Sequence, residues 1–266
     1  MDDIDFTCTM CGNCCHDLRL PLTVDEATAW IERGGQVQVL CEALPWLEEP
    51  GADNPQAQHK RRRSFAATSG TLPARVIVVL AGTFAGPCPN LGPDMRCGIY
   101  ESRPMVCRIY PAEINPFVPL VPSHKGCPPE AWAPSRPYVR RGAIVDAELR
   151  ELIARSRRSD ELEAPLKREV CVALGIDKAA VSNEGFVAHA PQAAALHAAL
   201  TQARTRASAD LPDDAARTQT PWSFVSNQRK TVDVLVSVGA LGEFVDAASE
   251  SQPVAYEYLG FLAPSA

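Results

Sequence analysis

Cys8-Thr9-Met10-Cys11-Gly12-Asn13-Cys14-Cys15 places four cysteines within eight residues, at C-x2-C-x2-C-C spacing. A second set follows at Cys88, Cys97, Cys107 and Cys127. A C-x2-C turn is tight enough to put two thiolates on two corners of one tetrahedron. A donor set made only of thiolates selects soft or borderline ions, namely zinc, copper(I), or iron within an iron–sulfur cluster. The two sets are expected to meet in space, with Cys8, Cys11, Cys14, Cys15, Cys88, Cys97, Cys107 and Cys127 as ligands.

The details of the spacing narrow this reading. C-x2-C-x2-C also opens the bacterial ferredoxin run, whose fourth cysteine comes three residues later and before proline. Here the fourth follows at once, so that match is partial. The neighbours Cys14 and Cys15 direct their side chains apart, so one can serve a first site and the other a second site or a bridge. Eight thiolates suffice for two four-thiolate sites or one polynuclear site. Gly12 lies where a chain folding around an ion needs positive φ. His16 and His124 are candidate replacement ligands, and Tyr100 reads as an aromatic packed on the metal loop.

The rest of the composition decides how ten cysteines are read. The hydrophobic fraction of 46% and charged fraction of 22% fit an ordinary globular chain. A net charge of −6 argues against general nucleic-acid binding, which needs a basic face. The first residues, Met1-Asp2-Asp3-Ile4-Asp5-Phe6, lack the basic and apolar regions of a secretory signal. No apolar run approaches the ~20 residues of a membrane span. These features imply a cytoplasmic protein, where dense cysteine means metal or redox chemistry more often than disulfides. The 23 prolines imply long ordered loops that something must hold.

Outward along the chain, Leu18, Leu20 and Leu22 suggest a short extended piece. Thr23-x-x-Glu26 is a capping box opening a helix through Glu32. Strands are expected over 36–40 and 75–81. Cys41 stands apart from both sets and reads as a small buried hydrophobe. Lys60-Arg61-Arg62-Arg63 reads as a solvated basic loop, with contact to an acidic partner or nucleic acid as its alternative. A short helical turn fits between Tyr100 and Cys107, with Pro104 in its first turn. Composition shifts between Pro134 and Pro137, which places a soft boundary between a 1–135 chelating domain and a 136–266 region. Helices are expected near 145–155, 161–174 and 191–206, and alternating Val232, Val234, Val236 and Val238 favour a strand. The fold class is α+β: a loop-rich, metal-stabilised cysteine-cluster domain with a small sheet, then a mainly helical C-terminal part.

Arg103 and Arg108 flank Cys107. Four thiolates around a divalent ion leave about two negative charges. Guanidinium groups nearby would offset that charge and tune the metal, or else bind an anionic substrate or partner.

Several segments together resemble the YkgJ-type cysteine-cluster family, a zinc- or iron-chelating domain named for its CxxCxxCC signature. They are Phe6-x-Cys8-x-x-Cys11-Gly12-x-Cys14-Cys15, Leu22-Thr23-x-x-Glu26-Ala27 and Cys88-Pro89-x-Leu91. Cys97-x-Ile99-Tyr100-x-x-Arg103-Pro104-x-x-Cys107-Arg108-x-Tyr110-Pro111 and Gly126-Cys127-Pro128 complete the pattern. The resemblance spans about residues 6 to 130 and implies zinc or iron, the iron including a 4Fe-4S cluster. Its distant relatives look like flagellin lysine N-methylases, yet no G-x-G-x-x-G follows a strand here. Three functions stay open: a metal centre with redox or cluster-dependent work, a zinc-stapled module binding an unidentified protein partner, and a protein-modifying enzyme. Thiolates in excess of one structural zinc favour the first; the lack of a Ser/His/Asp or paired-carboxylate constellation favours the second.

Overall fold

The computed structural model describes residues 3–134, 136–207, 220–246 and 256–265; Ser135, inside the expected boundary, lies outside them. The chain is α+β, as its sequence implies. Its frame is a nine-stranded sheet grown on two long antiparallel strands, β3 (Gln36–Pro45) and β5 (Leu72–Thr83). Both strands run past the expected segments, and ten residue pairs from Gln36↔Thr83 to Pro45↔Ala74 align them. On its other edge β5 carries β2 (Arg19–Leu22) and β4 (Ser64–Ser69). The free edge of β3 takes strands from the C-terminal part. Its partners are β8 (Lys178–Val181), parallel, and β9 (Gly185–His189), antiparallel. Beyond β8 lie β10 (Ser223–Ser226) and β11 (Leu241–Phe244), both parallel, while β12 (Glu257–Gly260) pairs with β9. A separate three-stranded sheet joins β1 (Ile4–Asp5), β6 (Pro137–Arg140) and β7 (Ala143–Ile144).

Strand alternation sorts the side chains between two faces. Val39, Cys41 and Ala43 share a buried cluster with Val76, Val78 and Leu80, while Leu40 and Ala81 belong to another. The helices α1 (Val24–Glu32), α5 (Ala164–Leu174) and α6 (Ala193–Ala207) cover the first face through Trp30, Val170, Leu196 and Leu200. Cys41 is fully buried and its thiol meets that of Cys171 from α5. Burial pushes Cys41 well above the ordinary thiol pKa, which leaves it an inert core residue as its isolation in sequence implies.

Two local readings need correction. The basic run does not lie in a loop: it ends α2 (Pro55–Arg62), capped by Asn54 and started by Pro55 at its first position. Its cations are absorbed within the protein. Arg61 pairs with Glu49, Arg62 lies 2.9 Å from Glu161, Arg63 lies 2.6 Å from Asp160, and Lys60 donates to Ser182 and Asn183. The expected strand over 232–238 is α7 (Arg229–Ser237). Val232 and Leu235, three apart, are the buried pair, and Val234 and Val236 stay exposed, so the helical period overrides the alternation of valines.

Trp30 is wedged into the first face, stacked on Phe84 with ring centroids 6.2 Å apart. A Cβ at Gly35 would stand 2.3 Å from Trp30 Nε1. Gly35→Ala should therefore destabilise the protein by about 1–3 kcal/mol, the ordinary cost of overpacking, read as a lowered denaturant midpoint at unchanged slope.

Candidate metal centre

The first cysteine set lies on a loop between β1 and β2, and the second between β5 and the 3-10 turn Pro129–Trp132, with Cys88, Cys97 and Cys127 on loops. Few regular elements hold these loops, so turns and backbone hydrogen bonds must. Cys15 N–H donates to Gly12 O at 2.9 Å, and Gly12 takes the positive φ, 73°, that its place demands. The two sets are then zipped together: Cys88 N–H donates to Cys15 O at 2.8 Å, and Asp17 and Gly86 exchange bonds just beyond. Gly98 N–H donates to Asn90 O at 2.7 Å, which closes the segment from Cys88 to Cys97.

Cys107 stands on the short helix α3 (Met105–Ile109). Pro104 is the residue preceding that helix, one position earlier than expected, and offers no side-chain cap. The cap comes from far away in sequence. Glu26 closes the capping box of α1 with Oε2, accepting from Thr23 N–H at 3.0 Å, and with Oε1 accepts from Met105 N–H at 2.6 Å. One carboxylate thus fixes the start of α1 and the start of the Cys107 helix. From the sequence only its first role is legible. On the other flank, Met105 and Ile109 pack on Leu152 and Ile153 of α4 (Ala147–Leu162), so the C-terminal part braces the site. Cys127 is set by Tyr110, whose hydroxyl accepts from Gly126 N–H at 2.9 Å.

All eight expected cysteines line one cavity of about 1140 Å³, and all ten in the chain are free thiols. Among the described residues, no three His, Cys, Asp or Glu side chains stand close enough together to enclose an ion. The thiols thus share one chamber without forming a closed shell. Neither His16 nor His124 lines it; the His16 ring meets Gly12 O at 3.2 Å instead. Arg103 and Arg108 both line it. Arg103 lies with its guanidinium carbon 3.7 Å over the Tyr100 ring, and its buried Nε has no hydrogen-bond partner among the described residues. Arg108 is 3.6 Å from Glu148, a more exposed pair.

The thiols sense one another. Cys15 donates to Cys14 and so brings Cys14 down to about 6, with further help from its own backbone N–H, Arg103 and His16 and against burial. The same hydrogen bond, then burial, pushes Cys15 far up. Burial, then the charges of Cys88, Cys14 and Cys97, push Cys107 up to about 12 despite Arg103. Burial also raises Cys127, with Cys14, Cys11 and Cys8 adding to it and Tyr110 opposing. Cys14 is the common neighbour in this network. Cys15, Cys107 and Cys127 thus resist ionisation in this crowded chamber, and a bound cation reverses the sign of these penalties.

The donor set therefore fits a thiophilic ion by its chemistry. Residues 7–127 match the CxxCxxCC family, described as "Putative zinc- or iron-chelating domain", and the chain is similar to that family over this stretch. The match supports zinc or iron as the metal. No curated protein and no solved structure matches the chain. No helix among the described residues is long and apolar enough to cross a membrane.

Replacing Glu26 by Ala removes both of its backbone contacts. The expected cost is about 1–2 kcal/mol in stability from the lost cap, with zinc affinity lower by roughly 10–100-fold because the support of a ligand is lost. Denaturation and a competitive zinc titration read the two effects separately.

Proposed function

We propose that this chain holds a working thiolate metal centre, zinc, iron or an iron–sulfur cluster, with redox or cluster-dependent chemistry as its role. The observation that carries the proposal is the sharing of one cavity by eight thiols, since a structural zinc needs four. When bound, such a centre supplies electron transfer if it holds iron and Lewis acidity if it holds zinc. The chain's own residues divide the remaining work. Cys14, the most acidic of the shifted thiols, offers the first thiolate. Arg103, a cation paired with no carboxylate among the described residues, offsets the charge of the ligand shell from its place over Tyr100. Arg108 is a weaker contributor to that compensation because Glu148 already answers part of its charge. Tyr110 and Glu26 orient the loops bearing Cys127 and Cys107. Because the open thiols must converge, loading should tighten the chain and raise its melting temperature.

Anaerobic purification with iron, zinc and sulfide analysis tests this reading. The expected outcome is metal bound at more than one equivalent, with a visible band near ~400 nm and labile sulfide if iron–sulfur is held. Cys14→Ser and Cys107→Ser should each lower the metal content, while Cys41→Ser, in the core, leaves it unchanged. A colourless protein with a single zinc, lost together with the fold in those variants, would replace the proposal by a stapled interaction module.

A further inference from the structure

Met105 and Val106 of α3 also line a second cavity, of about 170 Å³, whose other walls come from β2, α1, α2, β5, the loop at Ile114 and Asn115, α4 and α5. It contains none of the cysteines. Its volume lies below that of drug-sized sites, ~300–1,000 Å³, and suits a small ion.

Charged groups crowd it, and their hydrogen bonds can be followed one by one. Asp160 is fully engaged: Oδ2 lies 2.6 Å from Arg63 Nε, and Oδ1 accepts from Lys167 Nζ at 2.7 Å. Glu161 is paired with Arg62, and Glu26 accepts its two backbone N–H groups. That leaves Glu163 Oε2, buried without a hydrogen bond among the described residues and 3.7 Å from Lys167 Nζ. Burial, against the pull of Lys167, pushes the Glu163 carboxyl up to about 7. Near neutrality it therefore carries a proton much of the time, and a protonated carboxyl is a donor.

The donors tell the opposite story. Arg157 gives Nε–H to Ile114 O at 2.7 Å and meets no carboxylate among the described residues. The Ser156 hydroxyl and the His59 ring line the cavity without a hydrogen bond among the described residues, and Asn115 uses only its Oδ1. Burial, with Arg63, Arg62 and Arg157 nearby, holds His59 below the usual imidazole pKa. Unsatisfied donors thus outnumber unsatisfied acceptors around a small space. A guanidinium fork beside hydroxyl and amide donors is the pattern that receives an oxyanion.

We propose that this cavity binds a small oxyanion, an inorganic sulfate or phosphate or a carboxylate, held by Arg157 with Ser156, Asn115 and Lys167. The occupant would rest against the helix that carries Cys107. The proposal does not depend on which metal, if any, the thiols hold.

The test is calorimetric titration of sodium sulfate into the full chain at constant ionic strength, with inorganic phosphate and acetate as further probes. Saturable one-site binding of at least one probe is expected. Arg157→Gln should weaken it by about ten-fold or more, the loss of one charge-assisted contact. Arg103→Gln, in the thiol cavity, should leave it unchanged. If Arg157→Gln fails to fold, Ser156→Asp sets a carboxylate on the same wall and should abolish binding. No saturable heat with any of the three probes, wild-type affinity in the Arg157 or Ser156 variant, or loss of binding in Arg103→Gln alone would overturn the site.

Discussion

The hydrogen bond from Cys88 N–H to Cys15 O, 2.8 Å long, joins two loops more than seventy residues apart in the chain. Neither loop has a core of its own. Ordering a loop residue costs roughly 1–2 kcal/mol in backbone entropy, and one net hydrogen bond returns only about 1 kcal/mol. The zipper can therefore hold only because both loops leave strands already fixed by the sheet: β2 and β5 pair antiparallel from Arg19↔Thr83 to Leu22↔Leu80. The sheet delivers the two cysteine sets to the same place, and the short backbone bonds finish the alignment. Cys88 and Cys107 pack directly on the sheet's helix-covered core, which ties the site to the most rigid part of the molecule.

Electrostatics explains why such an arrangement asks for a partner. Burial, with the charges of neighbouring thiols adding to it, raises Cys107 and Cys127, and the hydrogen bond to Cys14, then burial, raises Cys15. Cys14 moves down, helped by Cys15 and Arg103. The molecule has thus taken on the cost of crowding acidic groups in a half-buried chamber. Close like charges persist where something else answers them, and a thiophilic cation answers all of them at once.

The sequence was informative where periodicity or spacing is local. The capping box at Thr23 and Glu26, the strands through Val39 and Val78 and the Gly12 turn all follow from short-range pattern. What escaped it depends on contacts across long separations. Nothing near Glu26 reveals that its second oxygen serves Met105, 79 residues on. The helix at Arg229–Ser237 was hidden because four alternating valines imitate a strand, and only packing of Val232 and Leu235 on their neighbours decides the matter. The basic run looked like a solvated loop because its carboxylate partners, Glu49, Asp160 and Glu161, are scattered along the chain.

The sheet also bears on how far the chelating segment is separable. The family match ends at Cys127, yet the second edge of β3 is covered by β8 and β9, and Phe6 and Thr7 donate backbone N–H groups to the carbonyls of Arg136 and Ala131, beyond the second cysteine set. Cut away from its C-terminal half, the segment would present Val39, Leu40 and Cys41 on an open β edge. Such an edge recruits other strands. The later strands act as a guard on that edge, so the motif that a family comparison picks out and the unit whose sheet edge is covered are two different lengths of the same chain.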